Sequence, residues 1–98
     1  MADATPLRAG SALMIDNNVV RVTEWRFAPG AVTGHHRHEH PYVVVPLSTG
    51  PLVMSGPDGT RTVDLERGKP YFRPAGVEHD VSNPNAAAFV FIDIELKR

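Results

Sequence analysis

The sequence contains no cysteine, which excludes disulfides and thiolate zinc sites as sources of stability or chemistry. Charge of one sign is missing too: ten basic and eleven acidic residues are scattered along the chain for a net charge of −1. No basic patch marks a nucleic-acid surface, and no acidic tail marks a cationic partner. Apolar runs never approach the ~18–20 residues of a membrane helix. Met1 to Leu13 holds no apolar stretch long enough for a signal-peptide core. These absences lead us to expect a soluble, cytoplasmic protein with neither nucleic acid nor membrane as partner. A sustained 3.6-residue apolar period is absent as well, which argues against helices.

What is present is β signal in one domain-sized chain. Ninety-eight residues leave no room for two cores. At that size folding hides only ~60–65% of the unfolded surface, so the core is thin and a second copy, making a homodimer, would help it. Residues 1–10 mix Ala, Asp, Thr, Pro and Gly without period and read as a flexible N-terminal arm, with the domain over 11–98. Strands are expected at Leu13–Ile15, Val19–Phe27, Tyr42–Leu47, Leu52–Ser55, Thr60–Leu65, Tyr71–Arg73, Glu78–Ser82 and Ala88–Leu96, separated by Asn, Pro and Gly turns. In the second of these Val20 and Val22 share one face while Trp25 and Phe27 share the other. A bulge or a crossing between sheets would reconcile them. Pro46 lacks an N–H and demands an edge or a bulge. In the last strand Val90, Ile92, Ile94 and Leu96 make an apolar face, and Phe89, Phe91, Asp93 and Glu95 a mixed one. The fold class is all-β, about nine short strands closing a sandwich or small barrel.

The chemistry is concentrated in histidine. Four of five lie at His35, His36, His38 and His40, and the fifth is His79 in a second turn-rich stretch. Alternate residues of an extended chain share a face, so His36 and His38 point together while His35 and Arg37 point away. Two imidazoles on one strand can grip an ion at ~2.0–2.1 Å if other residues complete the shell. His40 has the same parity but stands ~13 Å of extended chain beyond His36. On this stretch alone, a metal site and an exposed histidine-rich loop that picks up metal adventitiously are equally compatible with the residues.

The second stretch adds a spacing. Gly30, five residues, His36-Arg37-His38, four residues, Val43, six residues and Gly50 form one set of intervals. Gly68, five residues, Pro74-Ala75-Gly76, two residues, His79, three residues and Asn83 form another, 17 residues on. In these intervals the chain resembles the cupin superfamily, over Gly30 to Asn83, and the phrasing around Val43–Leu47 and Gly76–Val81 is similar to that of small bacterial cupins of the β-alanine-degradation type. The resemblance implies a double-stranded β-helix (jelly-roll) barrel, dimeric, with a metal inside. It implies His36, His38 and His79 as metal ligands.

One position departs from the family. Val43, or Tyr42 under the shorter spacing, stands where the motif has glutamate. Tyr42 or His40 would then serve as fourth ligand or acid/base, or water would fill the place. A divalent ion among three neutral imidazoles keeps its full charge, which favours small anionic, chelating ligands. Imidazole suits Fe(II), Ni, Zn and Cu, and we add Mn, so the ion is not readable. Three-histidine cupin centres are similar to those of thiol and diketone dioxygenases. The expectation is therefore a dioxygenase-like metal enzyme for a small anionic metabolite, with a non-catalytic ligand- or metal-binding module, or a structural subunit, as the alternatives. Arg26 and Arg73 are candidate anion contacts.

Overall fold

The computed structural model describes residues 7–98. Nine strands make it up: β1 Gly10–Asp16, β2 Val20–Phe27, β3 His36–Arg37, β4 Tyr42–Pro46, β5 Gly50–Gly56, β6 Gly59–Leu65, β7 Tyr71–Arg73, β8 Glu78–Ser82 and β9 Phe89–Leu96. They form a five-stranded sheet, β1-β2-β9-β4-β7, and a four-stranded sheet, β3-β8-β5-β6. Every pairing between named strands is antiparallel. Among the described residues no helix is long and apolar enough to cross a membrane.

Side-chain alternation decides what faces inward. In β4, Tyr42, Val44 and Pro46 are buried; in β9, Phe89, Phe91 and Asp93 are. They meet Phe27 from β2 and Leu52, Leu65 and Val81 from the opposite sheet, with the Phe27 and Phe91 rings 5.5 Å apart. The inner face of the large sheet changes character along the strands. One cross-strand row, Trp25–Phe91–Pro46, is apolar, whereas the row Arg21–Glu95–Tyr42–Arg73 is polar. The barrel is packed at the first end and carries polar groups at the second.

Two sequence expectations resolve here, and a third falls largely outside the described residues. β2 contains neither bulge nor crossing, since its register with β9 runs unbroken from Val20↔Leu96 to Phe27↔Phe89. The irregularity lies in β1, between Leu13 and Ile15. Val20 and Val22 oppose Trp25 and Phe27 because the outer face of the sheet is itself apolar. Pro46 sits in a strand flanked on both sides, but β7 pairs only as far as Val44, and beyond it the Pro46 carbonyl takes the Gly68 N–H at 2.9 Å. The edge that a proline needs is local. Of the arm expected over residues 1–10, residues 1–6 lie outside the described residues. Leu7 to Ala9 run beside Val32 through two backbone hydrogen bonds of 2.8 Å, and Gly10 opens β1.

Asn83 ties the end of β8 to the chain leaving β2. Its side chain is 1% exposed; Nδ2 donates to the carbonyls of Phe27, Ala28 and Ala87 at 3.1, 3.3 and 3.0 Å, and Oδ1 accepts from Asn85 N at 2.9 Å. Asn83→Ala would strand several buried polar groups. A loss of about 2–4 kcal/mol in urea-unfolding stability is expected.

Candidate metal centre

Two turns deliver the histidines. Gly34 adopts φ +86°, a left-handed backbone that side-chain-bearing residues rarely take, so the turn favours glycine. Its carbonyl accepts from His36 Nδ1 at 2.9 Å. In a neutral ring that bond places the proton on Nδ1 and leaves the His36 Nε2 lone pair facing inward. Gly76, at φ +94°, turns the chain into β8 and donates its N–H to the His38 carbonyl at 2.8 Å, while His38 N donates to the Val77 carbonyl at 2.8 Å. The short β3 then pairs His36 directly with His79.

Three ring nitrogens converge as a result. His36 Nε2 lies 3.1 Å from His38 Nε2, which lies 3.2 Å from His79 Nε2. Ligand atoms ~2.1 Å from an ion are separated by about 3.0 Å at octahedral right angles and about 3.4 Å in a tetrahedron, so the spacing fits one ion. The rings meet edge to face, at 73–87°. Burial first, then the neighbouring His36 and the Arg73 charge, draw His38 down to about 4. Burial, with His36, His38, Arg73 and Arg61 behind it, draws His79 down to about 3. Both rings are therefore neutral at pH 7 and can offer lone pairs. Converging lone pairs repel each other, and a cation relieves them.

The remaining predicted residues separate. Tyr42 faces the cavity and Val43 the outer surface, so of the two residues that could stand in the glutamate's place only the tyrosine reaches the site. Its ring stacks on His38 with centroids 3.8 Å apart and 18° between planes. Burial, then Tyr71, pushes the Tyr42 phenol well above its usual range, so it is a neutral hydrogen-bond donor. His40 is half-buried and lies outside the cavity. His35 points outward and bonds Glu78 Oε1 through Nε2 at 2.7 Å. Of the arginines, Arg26 is exposed and bonded to Glu24 at 2.6 Å. Arg73, joined by Arg61, instead lines a surface groove shared with His79.

The triad lines a cavity of about 260 Å³ together with Tyr42, Tyr71 and Asp93. Two acids that the sequence reading did not place in the site stand here. Asp93 and Glu95 form a second group with His38, their potential ligand atoms within 4.8 Å of one another. Burial, then the Glu95 charge, raises the Asp93 carboxyl to about 7. The signal was available in the mixed face of β9: Phe89 and Phe91 identify that face as the inner one, and Asp93 and Glu95 continue it toward the polar end.

Comparison with known proteins bears on the family and the fold. The family described as Cupin domain matches residues 23–95. The chain is 53% identical over 90 residues to the beta-alanine degradation protein BauB of Pseudomonas aeruginosa, covering 92% of this chain and 95% of that one. A crystal structure of a cupin domain from Bordetella pertussis Tohama I superposes with a TM-score of 0.95 at 51% identity, over 98% of this chain and 100% of that one. The polyketide cyclase RemF from Streptomyces resistomycificus shares the fold, with a TM-score of 0.75 at 21% identity over 95% and 68% of the two chains.

Proposed function

This chain belongs to the cupin family, and from that premise we propose that it is a dioxygenase-like, metal-dependent enzyme for a small anionic metabolite, working in the cytoplasm as a homodimer. The observation that carries the reading is the convergence of three Nε2 atoms at 3.1 and 3.2 Å inside a cavity. His36, His38 and His79 would hold the ion; imidazole suits Fe(II), Ni, Zn and Cu, whereas Mn leans toward oxygen ligands. Bound there, a divalent metal supplies Lewis acidity and, when redox-active, oxygen chemistry. The residues around it do the rest. Arg73 and Arg61 raise the potential at the His79 side, which favours an anion. The Tyr42 hydroxyl can donate a hydrogen bond to it. Trp25, Val81 and Phe91 give the cavity apolar walls that limit water. The name of the Pseudomonas relative places that protein in the breakdown of a small amino acid, which is compatible with this substrate class.

The reading is tested by loading the protein anaerobically with Fe(II) and screening oxygen uptake against β-dicarbonyls, thiols and amino acids. Uptake that requires one of these together with the metal is expected. No uptake with any of them, alongside thermal stabilisation by one, would favour a non-catalytic ligand-binding module instead. The exchange of the motif's glutamate for the neutral Tyr42 is the observation on that side.

Support for the homodimer comes from the outer face of the large sheet. One cross-strand row, Ile15–Val22–Ile94–Val43–Phe72, is apolar across all five strands, with Ile15 49% and Phe72 59% exposed. A continuous apolar row open to water favours a self-complementary contact. Phe72→Glu is expected to convert a dimer into a monomer in light scattering coupled to size exclusion, with the fold retained.

A further inference from the structure

Asp93 is a buried charged group of the cavity that the proposed function leaves without a task. It is 6% exposed, and its Oδ1 is the only buried side-chain nitrogen or oxygen among the described residues with no hydrogen-bond partner. Leaving such an atom unmet costs about 1–3 kcal/mol, so a buried one calls for a reason. The register denies it help from its neighbours. Asp93 lies between Val44, which has no polar atom, and Thr23, whose hydroxyl does not bond to it. The next acid along this face toward the polar end, Glu95, is approached by Arg21 at 3.8 Å.

The geometry also separates Asp93 from the metal shell. Ligand atoms of a ~2.1 Å shell lie no more than about 4.2 Å apart. Asp93 and Glu95 gather with His38 within 4.8 Å but do not join His36 and His79 in that group. Asp93 thus stands beside the triad and faces the same cavity. Arg73 stands two strands from Glu95 in the row Glu95–Tyr42–Arg73, so the polar end of the barrel has a cationic side and an acidic side.

We propose that Asp93 is a second anchor for the small molecule held at the triad. Its carboxyl lines the cavity and accepts a hydrogen bond from a hydroxyl or ammonium group remote from the ligand's anionic end. The ligand class is then a short hydroxy acid or amino acid, of a size that suits about 260 Å³. This rests on the reading that the triad holds a metal and an anion.

The test uses the full chain loaded with Co(II) and three acids of the form X–CH2–CH2–COO−, with X a methyl (butyrate), a hydroxyl (3-hydroxypropionate) or an ammonium (3-aminopropionate). Binding is followed by the visible cobalt bands and by calorimetry. At least one donor-bearing acid is expected to bind about tenfold or more tightly than butyrate. In Asp93→Leu that preference is expected to vanish while Co(II) affinity stays within about twofold of the parent. Asp93→Asn keeps the shape and a neutral acceptor should the leucine variant not fold, and it separates the donors: preference for an ammonium is lost, preference for a hydroxyl is kept. Equal binding of the three acids by the parent protein overturns the proposal, as does a preference that survives Asp93→Leu. A tenfold loss of Co(II) affinity in either variant also overturns it, because Asp93 would then be a ligand of the ion. If the parent takes up no Co(II), the metal reading fails on its own. The same three acids measured on the metal-free protein then decide the matter, a donor preference supporting the Asp93 anchor and its absence overturning it.

Discussion

Replacing His79 with alanine is expected to lower affinity for a divalent metal by about 100-fold or more, while His35→Ala and His40→Ala leave it unchanged. Changes to groups that merely orient ligands cost 10–100-fold, and His79 is one of only three imidazoles whose Nε2 atoms converge. It reaches them from β8, across the β3–β8 ladder and far along the sequence from the other two. His35 belongs to the same histidine-rich stretch but is 61% exposed at its side chain and bonded to Glu78. A stretch that bound metal through its histidine content alone would respond to His35→Ala and His40→Ala and be indifferent to His79→Ala, which lies outside it. Competition calorimetry with Ni(II) or Zn(II), on protein purified without an affinity tag, separates the two cases.

The second large effect is a stability difference that depends on pH. The folded protein holds the Asp93 carboxyl near 7, against an ordinary 3.8 when unfolded. Below the unfolded value both states are protonated and the residue contributes nothing. Between about 4 and 7 the unfolded chain releases a proton that the folded chain keeps, so Asp93 costs progressively more stability as pH rises, and above 7 the cost is complete. At 1.36 kcal/mol per pH unit the full penalty is a few kcal/mol, about 4 at most. Metal-free Asp93→Asn should therefore match the parent near pH 4 and exceed it by several degrees in Tm at pH 8. His38 and His79, whose values fall on folding, act in the opposite sense and weaken the folded state as pH drops below 6.5. They are common to both proteins and cancel from the difference. A difference that does not change between pH 4 and pH 8 would mean that Asp93 ionises normally.

Much of this is legible in the sequence alone, for identifiable reasons. Strand parity put His36 and His38 on one face, and the Pro74-Ala75-Gly76 turn marked where His79 would come in. Both are local properties, set by backbone period and by turn chemistry. Asn83 is marked by the second set of intervals, though its reach to Phe27 and Ala28 depends on how the two sheets close. What escaped was information held in register between distant strands. Counting intervals puts Val43 in the glutamate's place, or Tyr42 under the shorter spacing; pairing with β9 turns Tyr42 inward and Val43 outward. The same pairing sets Asp93 opposite Val44 and Glu95 opposite Tyr42, bringing acid to a centre that the motifs alone present as free of it. Apolar alternation in β9 is plain, but its aliphatic side, with Ile94, lies on the outside of the barrel. Periodicity identifies faces without saying which one is core.

The central claim is that residues from two separated turns grip one ion. Anomalous diffraction at the absorption edge of the metal, from crystals of the protein grown with Ni(II) or Zn(II), addresses it most directly. One peak per chain is expected, ~2.1 Å from the Nε2 atoms of His36, His38 and His79. A peak confined to His35 or His40 on the surface, or none inside the barrel at saturating metal, would contradict it.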